Sequence, residues 1–253
     1  IVRSLVGSEM CIRDSHYVQT EEIEDKTLQN LLIDRIYDHL LDEIELQHVD
    51  ETYKKIAKQM DSGNYSSREF MEYCGKWLSN VKDANDSVIL AAYEMNVPIF
   101  IPAINDCSIG IGLAMNQSEV KNGISIDSIK DLREIAKMKD LCGDSGIVIV
   151  GGGVPKNYSQ DSVVMAEMLG YKVKKHRFGI QISTADPREG GLSGSTLKEA
   201  ISWGKNDEDM DEVMIWGEAS VYFPLLISYI SDLKRSNKKE LNKHINTNSL
   251  EEN

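Results

Sequence analysis

The chain has 253 residues, of which 41% are hydrophobic, and it carries a formal net charge of -13. This length and composition predict a globular protein with a substantial buried core. The acidic charge argues against general nucleic-acid binding, which needs a basic face, and no apolar run is long enough to span a bilayer.

The two ends of the chain differ in character from its middle. Residues 1–15 lack an initiator methionine and resemble translated sequencing-adapter read-through, so we predict that this segment is non-native. Residues 16–235 would then form one α/β domain that is incomplete at its N-terminus. The polar segment 236–253 is predicted to be a disordered tail.

Helical patterns dominate the first part of the domain. Apolar residues between Asp25 and Met60 recur at helical spacing, with a weaker repeat at Tyr53–Ile56. Ser62–Asn64 breaks this pattern, and Ser66–Glu69 has the spacing of a capping box at the start of the next helix. Residues 83–94 predict a further helix.

Beyond residue 97, short β-branched runs alternate with helical segments. The predicted strands are 98–102, 146–150, 178–182 and 213–216. The predicted helices are 126–141, 156–169, 196–203 and 220–233. Strands buried on both faces have this composition, and the alternation favours right-handed crossovers. The predicted fold class is therefore α/β, a Rossmann-like parallel sheet with helices on both faces, preceded by a helical segment.

The loops that follow the four strands are the first candidates for a site, because ligands of open parallel sheets bind beyond the carboxyl ends of strands. These loops are 105–108, 151–156, 183–191 and 217–220. The triple glycine Gly151–Gly153 either lets a phosphate or ribose approach the N–H groups of a helix N-terminus or only permits a tight turn. Asp106 and Glu218 either bind ribose hydroxyls or a cation, or cap the helix that follows.

A second candidate is the stretch Ser193–Lys205, which holds a carboxylate, an indole and a lysine. Glu199 and Trp203 are four residues apart and share one face of a short helix, and Lys205 follows it. A lysine amine attacks carbonyl or imine carbons when its pKa is lowered, and an indole beside a carboxylate binds a cationic amine. The alternative is a surface helix that ends at Gly204 with a solvated lysine.

The cysteines give no sign of a metal site or a disulfide framework. Cys11, Cys74, Cys107 and Cys142 are scattered, with no CxxC pair and no histidines at metal-ligand spacing. We predict reduced thiols, a cytoplasmic protein and no bound metal.

Taken together, these motifs resemble the deoxyhypusine synthase family, and the resemblance extends from about Asp25 to Leu233. Its most specific part is Glu199–Lys205, where the family carries its imine-forming lysine. Three further segments occur in the family's order and spacing, namely Pro102–Gly110, Gly151–Lys156 and Glu218–Leu226.

The resemblance implies an NAD-dependent transfer of the aminobutyl group of spermidine, through a lysine imine, to an acceptor lysine of initiation factor five A. Lys205 would be the nucleophile. The resemblance implies five substrate-binding residues, Glu199, Trp203, Glu189, Gly190 and Asn157. It implies six NAD-binding residues, Asp106, Gly152, Thr184, Ala185, Glu218 and Ala219. It further implies a homotetramer with active sites at subunit interfaces.

Three positions depart from the family pattern. Asn157 stands where deoxyhypusine synthases carry a histidine that can transfer protons, and Ile111 and Leu192 replace aspartates that bind substrate amines. This pattern is similar to the bacterial and archaeal deoxyhypusine-synthase-like branch. It leaves open a homospermidine-synthase-like enzyme that uses a small polyamine or agmatine, and a catalytically idle paralogue that binds a polyamine or a partner subunit.

Overall fold

The computed structural model describes residues 17–18, 23–36, 39–82 and 84–233. It separates into two compact units with the boundary between Ser128 and Ile129. The predictions for segments 1–15 and 236–253 fall outside the described residues. Within the described ranges, no helix combines the length and the apolar character that crossing a membrane requires.

The first unit packs helices around a small core. Its helices are α1 (Asp25–Asn30), α2 (Glu43–Ala57), α3 (Ser67–Leu78), α4 (Val88–Glu94) and α5 (Ser108–Glu119). Its strands are β1 (Tyr17–Val18), β2 (Ile33–Ile36), β3 (His39–Asp42), β4 (Gly63–Tyr65) and β5 (Ile124–Ile126). The first three form an antiparallel sheet in the order β1-β3-β2, and β4 pairs with β5 in parallel. Ile56, Phe70 and Leu78 lie fully buried at the centre of this unit.

The helix predicted across residues 25–60 is wrong in its middle, where the chain forms the β2–β3 hairpin. The apolar residues that suggested a continuous helix are not one buried stripe, because Leu31 and Leu32 are 61% and 42% exposed. Leu32 also adopts a positive φ of 56°, which ends helical geometry after α1. Strand pairing between Ile33–Ile36 and His39–Asp42 therefore overrides the local helical spacing.

The strand predicted at residues 98–102 is also wrong, since no strand is assigned there. Pro98 and Pro102 carry no N–H group, so neither can donate to a sheet ladder. The N–H of Ile101 donates instead to the Ser67 hydroxyl at 2.9 Å. Helix α5 and strand β5 were not predicted, and α4 begins later than predicted, with Ser87 as its cap.

The capping box predicted at Ser66–Glu69 is confirmed at the start of α3. The Ser66 hydroxyl accepts from the Glu69 N–H at 3.1 Å, and the Glu69 carboxylate accepts from the Ser66 N–H at 2.7 Å. Both groups satisfy N–H donors that would otherwise have no partner at the helix start.

Replacing Ser66 by alanine is expected to lower the free energy of unfolding by about 1 kcal/mol, because the N3 donor then loses its acceptor. Chemical denaturation measures the change. Ser118→Ala is the matched control, since Ser118 is exposed in the last turn of α5 and its hydroxyl donates to the Met115 carbonyl within its own helix. Equal losses in the two variants would contradict the capping role.

The second unit contains the larger parallel sheet. Its helices are α6 (Ser128–Leu141, which begins at the unit boundary), α7 (Gly153–Met168), α8 (Glu199–Ser202) and α9 (Ala219–Asp232). Its strands are β6 (Ser145–Val150), β7 (His176–Ser183) and β8 (Asn206–Trp216), all parallel in the order β6-β7-β8. The parallel strands flanked by helices confirm the predicted α/β, Rossmann-like fold class.

Three of the four predicted strand-end loops leave the same edge of this sheet. Val150 pairs with Ile182, and Ser183 pairs with Trp216, so the carboxyl ends of β6, β7 and β8 are aligned. Two backbone hydrogen bonds extend this alignment into the loops, from Gly151 N–H and from Gly217 N–H to carbonyls of β7. The fourth loop, 105–108, follows no strand and belongs to the first unit.

Candidate active site

The position of Lys205 is fixed by the way α8 ends. Gly204 adopts a left-handed φ of 75°, its N–H donates to the Ile201 carbonyl at 3.0 Å, and the Lys205 N–H donates to the Ala200 carbonyl at 3.1 Å. This is a Schellman motif, in which glycine allows the chain to reverse directly after a helix. Lys205 therefore leaves the helix in a defined direction, immediately before β8.

The side chain of Lys205 is buried and paired. It is 9% exposed, its Nζ donates to Asn157 Oδ1 at 2.7 Å, and the same nitrogen lies 2.8 Å from Asp161 Oδ1. Asn157 Nδ2 in turn donates to Asp161 Oδ2 at 2.7 Å, which closes a ring of three side chains. The alternative of a solvated lysine at a helix end is therefore wrong.

Lys205 lies at a cavity of about 190 Å³ in the second unit. Four other residues that the sequence predicts as substrate-binding also line it, namely Asn157, Gly190, Glu199 and Trp203. Trp203 is 66% exposed, and the Lys205 Nζ lies 5.5 Å from the centroid of its ring. The cavity thus combines an amine, a carboxylate and an indole, the groups that an amine-binding site needs.

Glu189 is the one predicted substrate-binding residue outside this group. It ends the short 3-10 turn Pro187–Glu189, is exposed, and is absent from the residues that line the cavity. Gly190 follows it with a left-handed φ of 70° and turns the chain into the cavity wall. A polyamine contact by Glu189 stays a prediction.

Lys156 is a second lysine that lines the cavity. It ends the Gly151–Lys156 segment, and no role was predicted for it. It is 3% exposed, and its Nζ donates to Gln181 Oε1 at 2.9 Å, to Ser195 Oγ at 3.0 Å and to the Ser195 carbonyl. Burial lowers the pKa of Lys156, while Glu199 acts to raise it and Lys205 acts to lower it. All three acceptors are uncharged, so hydrogen bonds hold the Lys156 amine, and no carboxylate of the described residues pairs with it.

Sequence reasoning missed two further residues, Gln160, which lines the cavity, and Asp161, which pairs with Lys205. Asp161 follows Asn157 by four residues, so the helical spacing alone would have placed the two side chains on one face. Gln160 is 3% exposed and lines the cavity, and its Nε2 has no hydrogen-bond partner among the described residues. A buried amide without a partner at a cavity wall is a ready contact for a ligand.

Replacing Gln160 by methionine is expected to leave the free energy of unfolding unchanged or to raise it by up to about 1 kcal/mol, because an unsatisfied buried donor is removed. The same variant should bind the ligand of the cavity about tenfold more weakly. Gln117→Met is the matched control. It is expected to lower the free energy of unfolding, since Gln117 Nε2 already donates to the Ile124 carbonyl at 2.8 Å and this hydrogen bond would be lost. A stability loss at Gln160 with unchanged binding would assign it a packing role.

The strand-end edge holds five of the six residues predicted to bind a dinucleotide, namely Gly152, Thr184, Ala185, Glu218 and Ala219. Gly151 and Gly153 have left-handed φ values of 82° and 69°, so this turn requires glycine. A Cβ on Gly152 would lie 2.5 Å from the Cα of Ser193, so the turn is also closely packed. These observations support the tight-turn reading of the triple glycine.

The same edge still offers groups that fit a dinucleotide. Gly152 is the N-cap residue of α7 and offers no side-chain cap, so the first turn of this helix leaves N–H groups for a phosphate or ribose oxygen. Glu218 occupies the N-cap position of α9, but its side chain makes no capping hydrogen bond and is exposed. The capping alternative for Glu218 is therefore wrong, and its carboxylate is available to a ribose hydroxyl.

Asp106 lies apart from this group in the chain. It ends the 3-10 turn Ile104–Asp106 in the first unit and is exposed. Cys107, not Asp106, is the N-cap residue of α5. The contact of Asp106 with a dinucleotide stays a prediction. Across the described part of the chain, no three His, Cys, Asp or Glu side chains are grouped as a metal site would need.

The chain is similar in sequence to proteins of a known family. A family model described as deoxyhypusine synthase matches residues 8–230. The chain is 48% identical over 216 residues to a deoxyhypusine synthase-like protein of Chlorobaculum parvum, with 85% of this chain and 61% of the relative covered.

Two further relatives extend this result. A deoxyhypusine synthase-like protein of Coxiella burnetii is 46% identical over 217 residues, with 84% of this chain and 61% of the relative covered. The probable deoxyhypusine synthase 2 of Methanosarcina mazei is 39% identical over 224 residues, with 88% and 65% covered. The chain thus spans about three-fifths of the length of these relatives. The resemblance carried by the lysine and glycine motifs is confirmed, and the chain belongs to the deoxyhypusine synthase family.

Proposed function

We propose that the protein transfers the aminobutyl group of spermidine, or of a related polyamine, to an acceptor amine with NAD as cofactor. The observation that carries the proposal is the buried Lys205 amine at the wall of a cavity that also contains Glu199 and Trp203. A nucleophilic amine, a carboxylate and an indole together suit a substrate that is both a cation and an amine donor.

Each of these side chains has a defined task in the proposed reaction. Lys205 forms a covalent imine with the four-carbon aminobutyl group. Glu199 pairs with the free ammonium of the polyamine, and the Trp203 ring packs against its methylenes. Covalent capture divides the transfer into two easier steps, because the first amine leaves before the acceptor arrives.

NAD is the group that the family implies as cofactor. When bound, it supplies hydride acceptance from the polyamine and later hydride return. The uncapped start of α7 would hold a phosphate or ribose, and Glu218 would accept a hydrogen bond from a ribose hydroxyl. Thr184, Ala185 and Ala219 complete the same edge.

Two departures from the family pattern bear on the acceptor. Leu192 lines the cavity where the family pattern has an aspartate, and Asn157 replaces a histidine that can transfer protons. Both changes alter groups that handle amines, so the acceptor is not inferred from the family name alone. We therefore place a small polyamine or agmatine beside initiation factor five A as candidate acceptors. The homotetramer and the cytoplasmic location stay predictions.

The proposal is tested by incubating the chain with spermidine and NAD and measuring released 1,3-diaminopropane by chromatography. The Chlorobaculum parvum relative serves as the comparison protein. Putrescine, agmatine and initiation factor five A are then offered in parallel, and the aminobutylated product identifies the acceptor. Absence of diaminopropane release by this chain would contradict the proposal.

A catalytically idle polyamine-binding paralogue is the second candidate, and the loss of the histidine at Asn157 favours it. In that case the chain binds spermidine without releasing diaminopropane. Lys205→Ala would then leave the affinity for spermidine unchanged, as measured by calorimetry. Loss of turnover in the same variant would exclude the idle paralogue.

A further inference from the structure

We propose that Asp161 is a catalytic residue that takes the proton from Lys205 when this lysine becomes a nucleophile. The proposal rests on the proposed function of Lys205 as the imine-forming amine. Asp161 was not among the residues that the family resemblance assigned, and it is identified by its contacts alone.

The geometry gives each oxygen of Asp161 a separate partner. Oδ1 lies 2.8 Å from the Lys205 Nζ, and Oδ2 accepts from Asn157 Nδ2 at 2.7 Å. Asn157 Oδ1 accepts from the same Nζ at 2.7 Å. Asn157 therefore orients both Lys205 and Asp161, and it holds Asp161 Oδ1 against the Lys205 amine.

Asp161 is the titratable group best placed for this proton. The Asn157 amide does not titrate, so it cannot accept the proton. Besides Lys205, the charged-type side chains that line the cavity are Lys156 and Glu199, and the Lys156 Nζ already donates to Gln181 and Ser195. Glu199 forms no salt bridge with Lys205 and is left to bind the polyamine ammonium. Asp161 is also only partly buried, with a side chain 35% exposed, so it can exchange protons with solvent.

The proton and the bonds balance in the transfer step. A lysine ammonium has no lone pair, so one Nζ proton passes to Asp161 Oδ1 before attack. The Nζ lone pair then bonds to the imine carbon of the oxidised polyamine, the π pair of that C=N bond moves to the diaminopropane nitrogen, and Asp161 protonates this nitrogen. Asp161 next carries a second proton from Nζ to the same nitrogen. The Nζ lone pair then forms the second bond to the carbon, the bond from that carbon to the nitrogen breaks, and diaminopropane leaves with both protons. Nothing is oxidised or reduced in this step.

A purely electrostatic ion pair predicts the opposite effect of removing Asp161. A neighbouring carboxylate favours the charged form of a lysine. Without it the ammonium would release its proton more readily, and the amine would react faster at neutral pH. A proton acceptor, in contrast, makes the reaction slower when it is removed. The sign of the rate change therefore separates the two roles.

The experiment measures the reactivity of Lys205 directly, with butanal and cyanoborohydride on the full chain. The amine adds to the aldehyde carbon, water leaves, and cyanoborohydride reduces the imine to a stable secondary amine. Peptide mass spectrometry follows the labelling rate at Lys205 across pH in wild type, Asp161→Asn and Asp161→Glu. The exposed Lys172 in the same protein is the internal reference for intrinsic amine reactivity.

Asp161→Asn is expected to label Lys205 at least about tenfold more slowly at neutral pH, with the rate recovering as pH rises because hydroxide replaces the carboxylate. Asp161→Glu should restore part of the neutral rate. Asp144→Asn is the control, because Asp144 pairs with exposed Lys174 at 3.0 Å outside the cavity. Equal or faster labelling in Asp161→Asn would overturn the proposal.

The labelling assay and the diaminopropane assay test the two proposals separately, so either proposal can be refuted without the other. Butanal labelling needs neither NAD nor a polyamine, so it reports on Asp161 even when no transfer occurs. Release of diaminopropane reports on the transfer itself. A chain with normal butanal behaviour and no diaminopropane release would refute the function and keep the role of Asp161.

Discussion

Replacing Lys205 by alanine is expected to lower the rate of aminobutyl transfer by at least about a thousandfold, because the covalent intermediate can no longer form. The fold should survive the change. Asp161 loses its cation, but its side chain is 35% exposed and can be solvated, so the cost in unfolding free energy should be about 1 kcal/mol. Diaminopropane release and thermal unfolding, measured on the same preparation, check both parts.

Lys205→Arg is the matched variant for this prediction. Arginine keeps the positive charge beside Asp161 and over the Trp203 ring, but its guanidinium does not lose a proton near neutral pH. The arginine variant should therefore retain the stability of the wild type and still lack turnover. Turnover in either variant would show that Lys205 is not the nucleophile.

Replacing Lys156 by methionine is expected to lower the free energy of unfolding by about 2–4 kcal/mol, because a buried hydrogen-bond network loses its donor. Gln181 is fully buried, and its Oε1 would lose the Lys156 partner. The other end of the same amide donates to the carbonyls of Gly151 and Ser193, both at 3.0 Å. The network thus ties the glycine turn to the cavity wall.

Urea denaturation measures the stability change at Lys156. Lys174→Met is the control, since the Lys174 side chain is 66% exposed in a surface salt bridge, and its loss should cost less than about 0.5 kcal/mol. The Lys156 variant should also bind polyamine more weakly, because Ser195 belongs to the cavity wall. Similar stability losses in the two variants would contradict the structural role of the buried lysine.

The second unit could be predicted well from sequence, for a clear physical reason. The predicted runs 146–150 and 178–182 lie within β6 and β7, and the glycines at 151–153 separate β6 from a helix. The apolar pattern of each strand lies within a few consecutive residues, so the strand can be predicted from its own sequence. The Glu199–Lys205 motif was also predicted from local sequence, since Gly204 marks the end of the helix that precedes Lys205.

The first unit was harder because its structure depends on contacts between distant segments. The β2–β3 hairpin forms where apolar spacing suggested a helix, and β5 pairs with β4 across many intervening residues. Pairing of this kind leaves little trace in local periodicity. Residues 98–102 had the composition of a strand, yet their terminal prolines and the Ser67–Ile101 hydrogen bond keep them out of a sheet.

The cavity was predicted in part, and the missed residues share one property. Lys156, Gln160 and Asp161 all lie on α7, and their importance depends on burial or on a partner distant in sequence, neither of which can be seen in residue types alone. Asn157 was interpreted as a lost proton-transfer group, while the structure shows that it also positions a carboxylate. A helical-wheel view of α7 would have placed Asn157 and Asp161 on one face.

The most direct test of the account is the site of the trapped imine. The chain is incubated with spermidine and NAD, reduced with borohydride, digested, and the modified lysine is identified by mass spectrometry. We predict a single aminobutyl adduct on Lys205. An adduct on Lys156, whose pKa is lowered by burial, or the absence of any adduct while NADH forms, would contradict the account.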